Sequence, residues 1–310
     1  MGFGMKSVQS VADFLNAKKW LVVDDAQEQI VPLGPQWTND NYVITVSELY
    51  GVTRYFLRLG KETGLGLMAR LAYEFSVLQA MSRSGLTPRP YYCDEIAKVD
   101  GEPVGALLME FLPGRSIDCI ADWRLAAQTL ALVHTQPVDA RLIVRERPLD
   151  DMCDHCSELV SAIGRRGDPG AAEEAGASLE ALNSLADQAR TMLAEEALVV
   201  THGAVRASDF IVDEDGDKVW LIDWENGAVS SRYADIGLFM AQASGLCPSG
   251  CFGSKDERLG FFEAYAATAG LDIGLDRLAE RVAIYERAFV LRAAIEKLLA
   301  RCGGEGGEAK

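Results

Sequence analysis

Asp209 and Asp223 are the residues whose type and spacing point most directly to chemistry. An apolar run at residues 197–200 reads as a strand, and a polar loop at 202–208 follows it. Residues 210–212 read as a second strand, Glu214-Asp215-Gly216-Asp217 as a hairpin turn, and 219–222 as a third strand ending on Asp223. Loop and hairpin together are expected to bring the two carboxylates to neighbouring strand ends. Paired oxygen donors of that kind suit a hard cation such as Mg²⁺.

The wording of this stretch resembles the catalytic loop and metal segment of the aminoglycoside phosphotransferase/choline kinase superfamily, relatives of the protein kinases. That family writes H-G-D-x-x-x-x-N, a hairpin, and then I-D-W/F-E. Here His202-Gly203 and Ile222-Asp223-Trp224-Glu225 match with the spacing kept, and Asp209 falls at the Asn position. Ala204 occupies the position of the catalytic Asp. The resemblance implies an α+β, bilobal, protein-kinase-like fold: a small antiparallel-sheet lobe and a larger, mainly helical lobe. It implies ATP and Mg²⁺ as cofactors, Asp209 and Asp223 as metal ligands, and transfer of the γ-phosphate to the hydroxyl of a small-molecule acceptor.

Ala204 divides the functional reading in two. An alanine can neither orient an acceptor hydroxyl nor take its proton, and loss of a general base costs about 10²–10⁴-fold, or about 3–5 kcal/mol of barrier. Arg206 is permanently protonated and cannot stand in. His202 reads as a residue that braces the loop. One reading is therefore a phosphotransferase of this superfamily; the other is a catalytically inactive, nucleotide-binding pseudokinase with a regulatory or binding role.

The elements upstream follow the same order as the family. Residues 7–19 read as an amphipathic helix, 21–35 as a strand entering a turn, and 37–42 as a small-polar loop. Strands at 42–46 and 53–59 follow, and a helix at 67–82. The resemblance puts Asn39 and Asn41 of the polar loop over the nucleotide phosphates, Arg58 against those phosphates, and Glu74 in an ion pair with Arg58. Read without it, Arg58 is equally an outward charge on an exposed strand face. An apolar strand then breaks at Pro113-Gly114. By the resemblance the backbone of Glu110, Phe111 and Leu112 reads the adenine edge, with Met109 buried behind it. The expected organisation is a nucleotide-binding lobe over 1–109, a hinge at 110–114, a helical lobe over 115–302 with the catalytic loop and substrate site, and a loose glycine-rich tail at 303–310. Helices are expected at 123–134, where His134 reads as a packing residue, and at 149–165, 171–196, 256–270 and 274–302. Asp235, in Tyr233-Ala234-Asp235-Ile236-Gly237, is expected to brace the catalytic loop through backbone hydrogen bonds.

The 310 residues carry a net charge of −16, which disfavours nucleic acid and anionic membrane surfaces as partners. That charge suits a cationic acceptor but serves solubility equally well; an acidic cluster of Asp150, Asp151, Asp154 and Glu158 would also suit such an acceptor. A solvated helix face is the simpler explanation of the run, because charge runs usually are solvated. No apolar run is long enough to cross a bilayer, and the first ten residues lack a signal-peptide layout, so a cytoplasmic location is expected. The seven cysteines form no disulfide framework. Cys153-Asp154-His155-Cys156 has metal-like spacing, with Cys247 and Cys251 as an imaginable second half. Free thiols on a helix and a loop are the simpler reading.

Overall fold

Alternation along two long strands sets the fold of the N-terminal part. In the computed structural model β1 (Ile30–Pro35), β2 (Asn39–Glu48), β3 (Gly51–Gly60), β4 (Pro90–Val99) and β5 (Glu102–Glu110) form an antiparallel sheet in the order β1-β2-β3-β5-β4. The structure describes residues 5–35, 39–48, 51–60, 67–118, 121–216, 218–242 and 255–304. Side chains alternate between the two sheet faces. One face gathers Tyr42, Ile44, Leu57, Leu59, Ala106 and Leu108 into an apolar core, against Val11, Phe14 and Leu15 of the helix α1 (Val8–Lys18). Ser7 caps that helix by accepting the Ser10 N–H. The opposite face carries Asn41, Arg58 and Leu107 side by side, because Asn41 pairs with Arg58 and Arg58 with Leu107 in the register. The helix α3 (Leu67–Met81) supplies Glu74 to that face.

Two expectations are corrected here. The segment before the sheet is not strand throughout, because Asp25 accepts the Gln27 and Glu28 amides and caps a one-turn helix, α2 (Ala26–Gln29). Asn39, Asp40 and Asn41 do not lie in a loop either: they open β2 and are buried, at 6%, 1% and 3% exposure. Pairing of Asn39 with Gly60 and of Asp40 with Leu59 satisfies the backbone of these polar residues, which overrides their turn preference. Trp37 and Thr38 lie outside the described residues.

The chain divides into two compact units. The first contains residues 1–115 together with 211–226, so the segment bearing Asp223 returns to the sheet-containing unit. The hairpin of β8 (Phe210–Val212) and β9 (Val219–Leu221) falls largely within this returning segment, and its Trp224 is fully buried, donating its Nε1–H to the Leu221 carbonyl at 2.7 Å.

The second unit contains residues 116–210 and 227–310 and is mainly helical. Its helices are α4 (Trp123–His134), α5 (Pro148–Arg165), α6 (Pro169–Met192), α7 (Arg232–Ala241), α8 (Lys255–Ala269) and α9 (Leu275–Gly304). A short strand, β6 (Arg115–Ser116), lies at the junction, and β7 (Val199–Thr201) pairs antiparallel with β10 (Ala228–Ser230). Close approach of α7 to α9 requires Gly237, since a Cβ there would lie 2.8 Å from the Glu286 amide nitrogen. Helix α9 continues through Gly303 and Gly304, past the point where a loose tail was expected to begin; residues 305–310 lie outside the described residues. No described helix is long and apolar enough to cross a membrane.

Candidate active site

The first unit holds a buried charge cluster centred on Arg58. Its Nη1 donates to both oxygens of Glu74, at 2.9 and 2.8 Å, and to Oδ1 of Asp223 at 2.9 Å. Glu74 is 1% exposed, whereas the Asp223 side chain is 38% exposed. Burial opposes the charge on Arg58, yet Glu74, Asp223 and Glu225 together raise its pKa. Burial also pushes Glu74 up, to about 7; the ion pair with Arg58 pulls it down, and the nearby carboxylates of Asp223 and Glu225 add to the rise. One guanidinium thus faces three acidic side chains. Such a cluster has a negative surplus, and a cation is the group that would balance it.

Asp223 sits at φ 70°, in the left-handed region that a residue with a Cβ rarely adopts. Strain of this kind persists where the surroundings over-determine it, which is common at functional sites. The turn aims the carboxylate so that one oxygen meets Arg58. The other takes no hydrogen bond from the described residues. A free carboxylate oxygen, half in solvent, has the chemistry of a Mg²⁺ ligand. Among the described residues no group of three or more metal-ligating side chains occurs, so water and phosphate oxygens would have to complete the shell, as Mg²⁺ generally prefers.

On the same sheet face, Asn41 has a buried Oδ1 without a hydrogen-bond partner, and Met109 pairs in register with Phe56. The Glu110 N–H already donates to the Arg89 carbonyl at 2.8 Å, so of the segment expected to read adenine, the free backbone donors are left to Phe111 and Leu112.

The second unit holds the loop that carries Ala204. Asp235, 1% exposed, accepts the His202 amide at 2.6 Å on Oδ2 and the Gly203 amide at 2.8 Å on Oδ1. His134 bonds the same carboxylate through Nε2 at 3.2 Å and the Tyr265 hydroxyl through Nδ1 at 2.7 Å. His134 is thus a buried packing residue that orients Asp235. Val205 is fully buried and its carbonyl accepts from Gln242 Nε2 at 3.0 Å. A 3₁₀ turn at Ala207–Asp209 ends the loop, with Asp209 Oδ2 accepting the Arg206 amide at 2.8 Å and Oδ1 the Ser208 hydroxyl at 3.1 Å. Gln242 and Ser208 carry no motif signal, and their contribution was not legible in the sequence.

The family model of the APH phosphotransferase enzyme family matches residues 29–281. The chain belongs to that family. Solved structures similar to this member include ethanolamine kinase from Plasmodium vivax, 16% identical with a TM-score of 0.67, covering 97% of this chain and 84% of that one. Choline kinase from Cryptosporidium parvum is 13% identical at a TM-score of 0.64, covering 97% and 95%. An aminoglycoside phosphotransferase from Streptomyces rimosus is 21% identical at a TM-score of 0.58, covering 94% and 99%, and has also been solved in complex with ADP and streptomycin. At these identities the likeness establishes the α+β kinase-like fold. No curated protein matches the chain.

The remaining sequence candidates of this APH-family chain are dispersed. Asp150 is bound by Arg190 at 3.1 Å and faces Arg147 at 3.9 Å, so the acidic run on α5 does not act as one cluster. Cys153 and Cys156 are buried on the packed side of α5, and burial pushes the Cys156 thiol up to about 11. Cys247 and Cys251 lie outside the described residues.

Proposed function

We propose that this chain binds Mg·ATP and transfers the γ-phosphoryl group to the hydroxyl of a small-molecule acceptor, at a rate lowered by the missing base at Ala204. The observation that carries this reading is the Arg58–Glu74–Asp223 cluster. Glu74 fixes the guanidinium, and Asp223 keeps one oxygen open beside it. In the reading, Arg58 neutralises nucleotide phosphate, Asp223 and Asp209 are the metal ligands, Asn39 and Asn41 face the phosphates from β2, and the backbone of residues 111–112 reads the adenine edge over Met109. Mg²⁺, when bound, supplies charge neutralisation on the phosphates. The acceptor oxygen forms its bond to Pγ, the bond from Pγ to the bridging oxygen of ADP breaks, and the hydroxyl proton passes to water. Phosphoryl transfer depends mainly on positioning and electrostatics, so a site lacking its base retains part of its rate enhancement. Family membership and the ADP-bound Streptomyces rimosus relative support the nucleotide assignment.

Ala204 favours a second reading, an inactive nucleotide-binding protein with a regulatory or binding role. Calorimetric titration of ATP with and without Mg²⁺, into the parent and Asp223→Ala, tests what the two readings share. Mg²⁺-dependent binding lost in Asp223→Ala is expected, and absence of binding in the parent refutes both. Acceptor-dependent ADP release then separates them: the first reading expects slow turnover that rises about 10²–10⁴-fold in Ala204→Asp. Nucleotide binding with no turnover in either protein, over a broad acceptor panel, supports the second.

A further inference from the structure

A cavity of about 300 Å³ opens within the second unit beside Gly203, the residue next to Ala204. Its size is at the small end for ligand pockets, about 300–1,000 Å³. Met152, Tyr285 and Phe289 give it an apolar wall. Its charged lining is two arginines, Arg145 and Arg292, against the single carboxylate of Asp151, with His155 beside them. This balance runs against the chain's net charge of −16.

Arg145 is held by its backbone. Its amide donates to the Val229 carbonyl at 2.8 Å, and its carbonyl accepts the Ser230 hydroxyl at 2.9 Å. Its guanidinium has no ion-pair or hydrogen-bond partner among the described residues. Arg292 bonds Glu296 through Nε at 2.7 Å, which leaves both terminal nitrogens for a ligand. The neighbouring cavity of about 400 Å³ offers a contrast, because its Arg190 is already neutralised by Asp150 and Asp187.

We infer that this cavity takes an acceptor carrying an oxyanion, a carboxylate or a phosphate, together with its hydroxyl. A fork of guanidinium donors is the side-chain chemistry best matched to both groups. The inference rests on the phosphotransferase reading for the word acceptor, but the anion site itself stands on Arg145 and Arg292 alone. It also reverses the cationic acceptor suggested by the acidic sequence. Hydroxylated amines would meet the unpaired guanidinium of Arg145 and the open terminal nitrogens of Arg292 in the cavity.

The test is binding by calorimetry to the full-length chain, using three sets of probes. These are hydroxy acids of three to six carbons, sugar phosphates of similar size, and hydroxy amines such as ethanolamine. One anionic set is expected to bind, identifying the oxyanion, with affinity falling at least about tenfold in Arg145→Ala and in Arg292→Ala. Arg145→Lys should recover part of the loss. The inference is overturned if only the amines bind, if none of the sets binds, or if anion binding is unchanged in the Arg145→Ala/Arg292→Ala double variant. Mg·ATP titrated into the parent reports the nucleotide reading separately. Anion binding without ATP binding would refute phosphotransfer and leave the anion site standing.

Discussion

Asp235 should be among the residues whose removal costs most, and the structure sets the size of the effect. Three hydrogen bonds converge on its buried carboxylate, from the His202 and Gly203 amides and from His134. Hydrogen bonds to a charged group contribute about 1.5–3 kcal/mol each, and their sum is an upper bound because one substitution removes them together. Asp235→Ala leaves the buried His202 amide without its acceptor and the part-buried Gly203 amide without its own, and breaking a buried charged network costs about 3–5 kcal/mol. Asp235→Asn keeps the shape but turns an NH₂ group toward one of the two amides, so about 1–3 kcal/mol is expected.

Urea denaturation at neutral pH, followed by tryptophan fluorescence, checks both values. The pH dependence provides a second readout. Burial pushes the Asp235 carboxyl up, but the hydrogen bond and charge of His134, the charge of His202 and the His202 amide outweigh it and hold the pKa below its usual value. A carboxylate depressed in the folded state stabilises above its unfolded pKa of about 3.9, and that contribution is lost as pH falls through the lower folded value. The difference between parent and Asp235→Ala should therefore shrink in acid. An alanine variant within about 1 kcal/mol of the parent, or a difference independent of pH, would refute the clamp.

Glu74 behaves oppositely. Its folded pKa, about 7, lies above the unfolded value of about 4.3, so its contribution is present below about 4.3 and is lost as pH rises through about 7. Glu74→Gln should flatten the stability profile between those limits, and a profile identical to the parent's would show that the carboxyl is not held up by burial. Gly237→Ala forces a methyl against the Tyr285–Glu286 backbone of α9 and should cost about 1–3 kcal/mol of stability by urea denaturation, whereas the half-buried Gly176→Ala, with open space around its Cβ position, should be neutral or stabilising.

Legibility in the sequence followed the range of the interactions. The helix at 123–134 and the hairpin leading to Asp223 were readable because periodicity and turn chemistry act over a few residues. The Arg58–Glu74 pair became readable through the family wording, not through spacing alone. What failed was long-range. Asn39 to Asn41 look like a loop until β3 supplies partners for their backbone, and residues 211–226 follow the loop at 202–209 of the mainly helical unit in sequence while belonging to the sheet-containing unit. Arg145 sits in no motif at all. Only the parallel bridge between Val144 and Val229, and the hydrogen bonds beside it, place Arg145 in a cavity with Arg292, well over a hundred residues later in the chain.

The loop around Ala204 keeps its architecture without help from the side chain at that position. Its geometry is fixed by the amides of His202, Gly203 and Arg206, the carbonyl of Val205, and the side chains of Ser208, Asp209, Asp235 and Gln242. The side chain of residue 204 takes no part in that bracing. An aspartate at 204 and an alanine at 204 would therefore be held in the same loop, so under the proposed phosphotransferase reading a base there could be lost without a structural penalty. The same independence makes Ala204→Asp a clean substitution: a change in turnover would report the reacting group, because nothing that shapes the loop is altered.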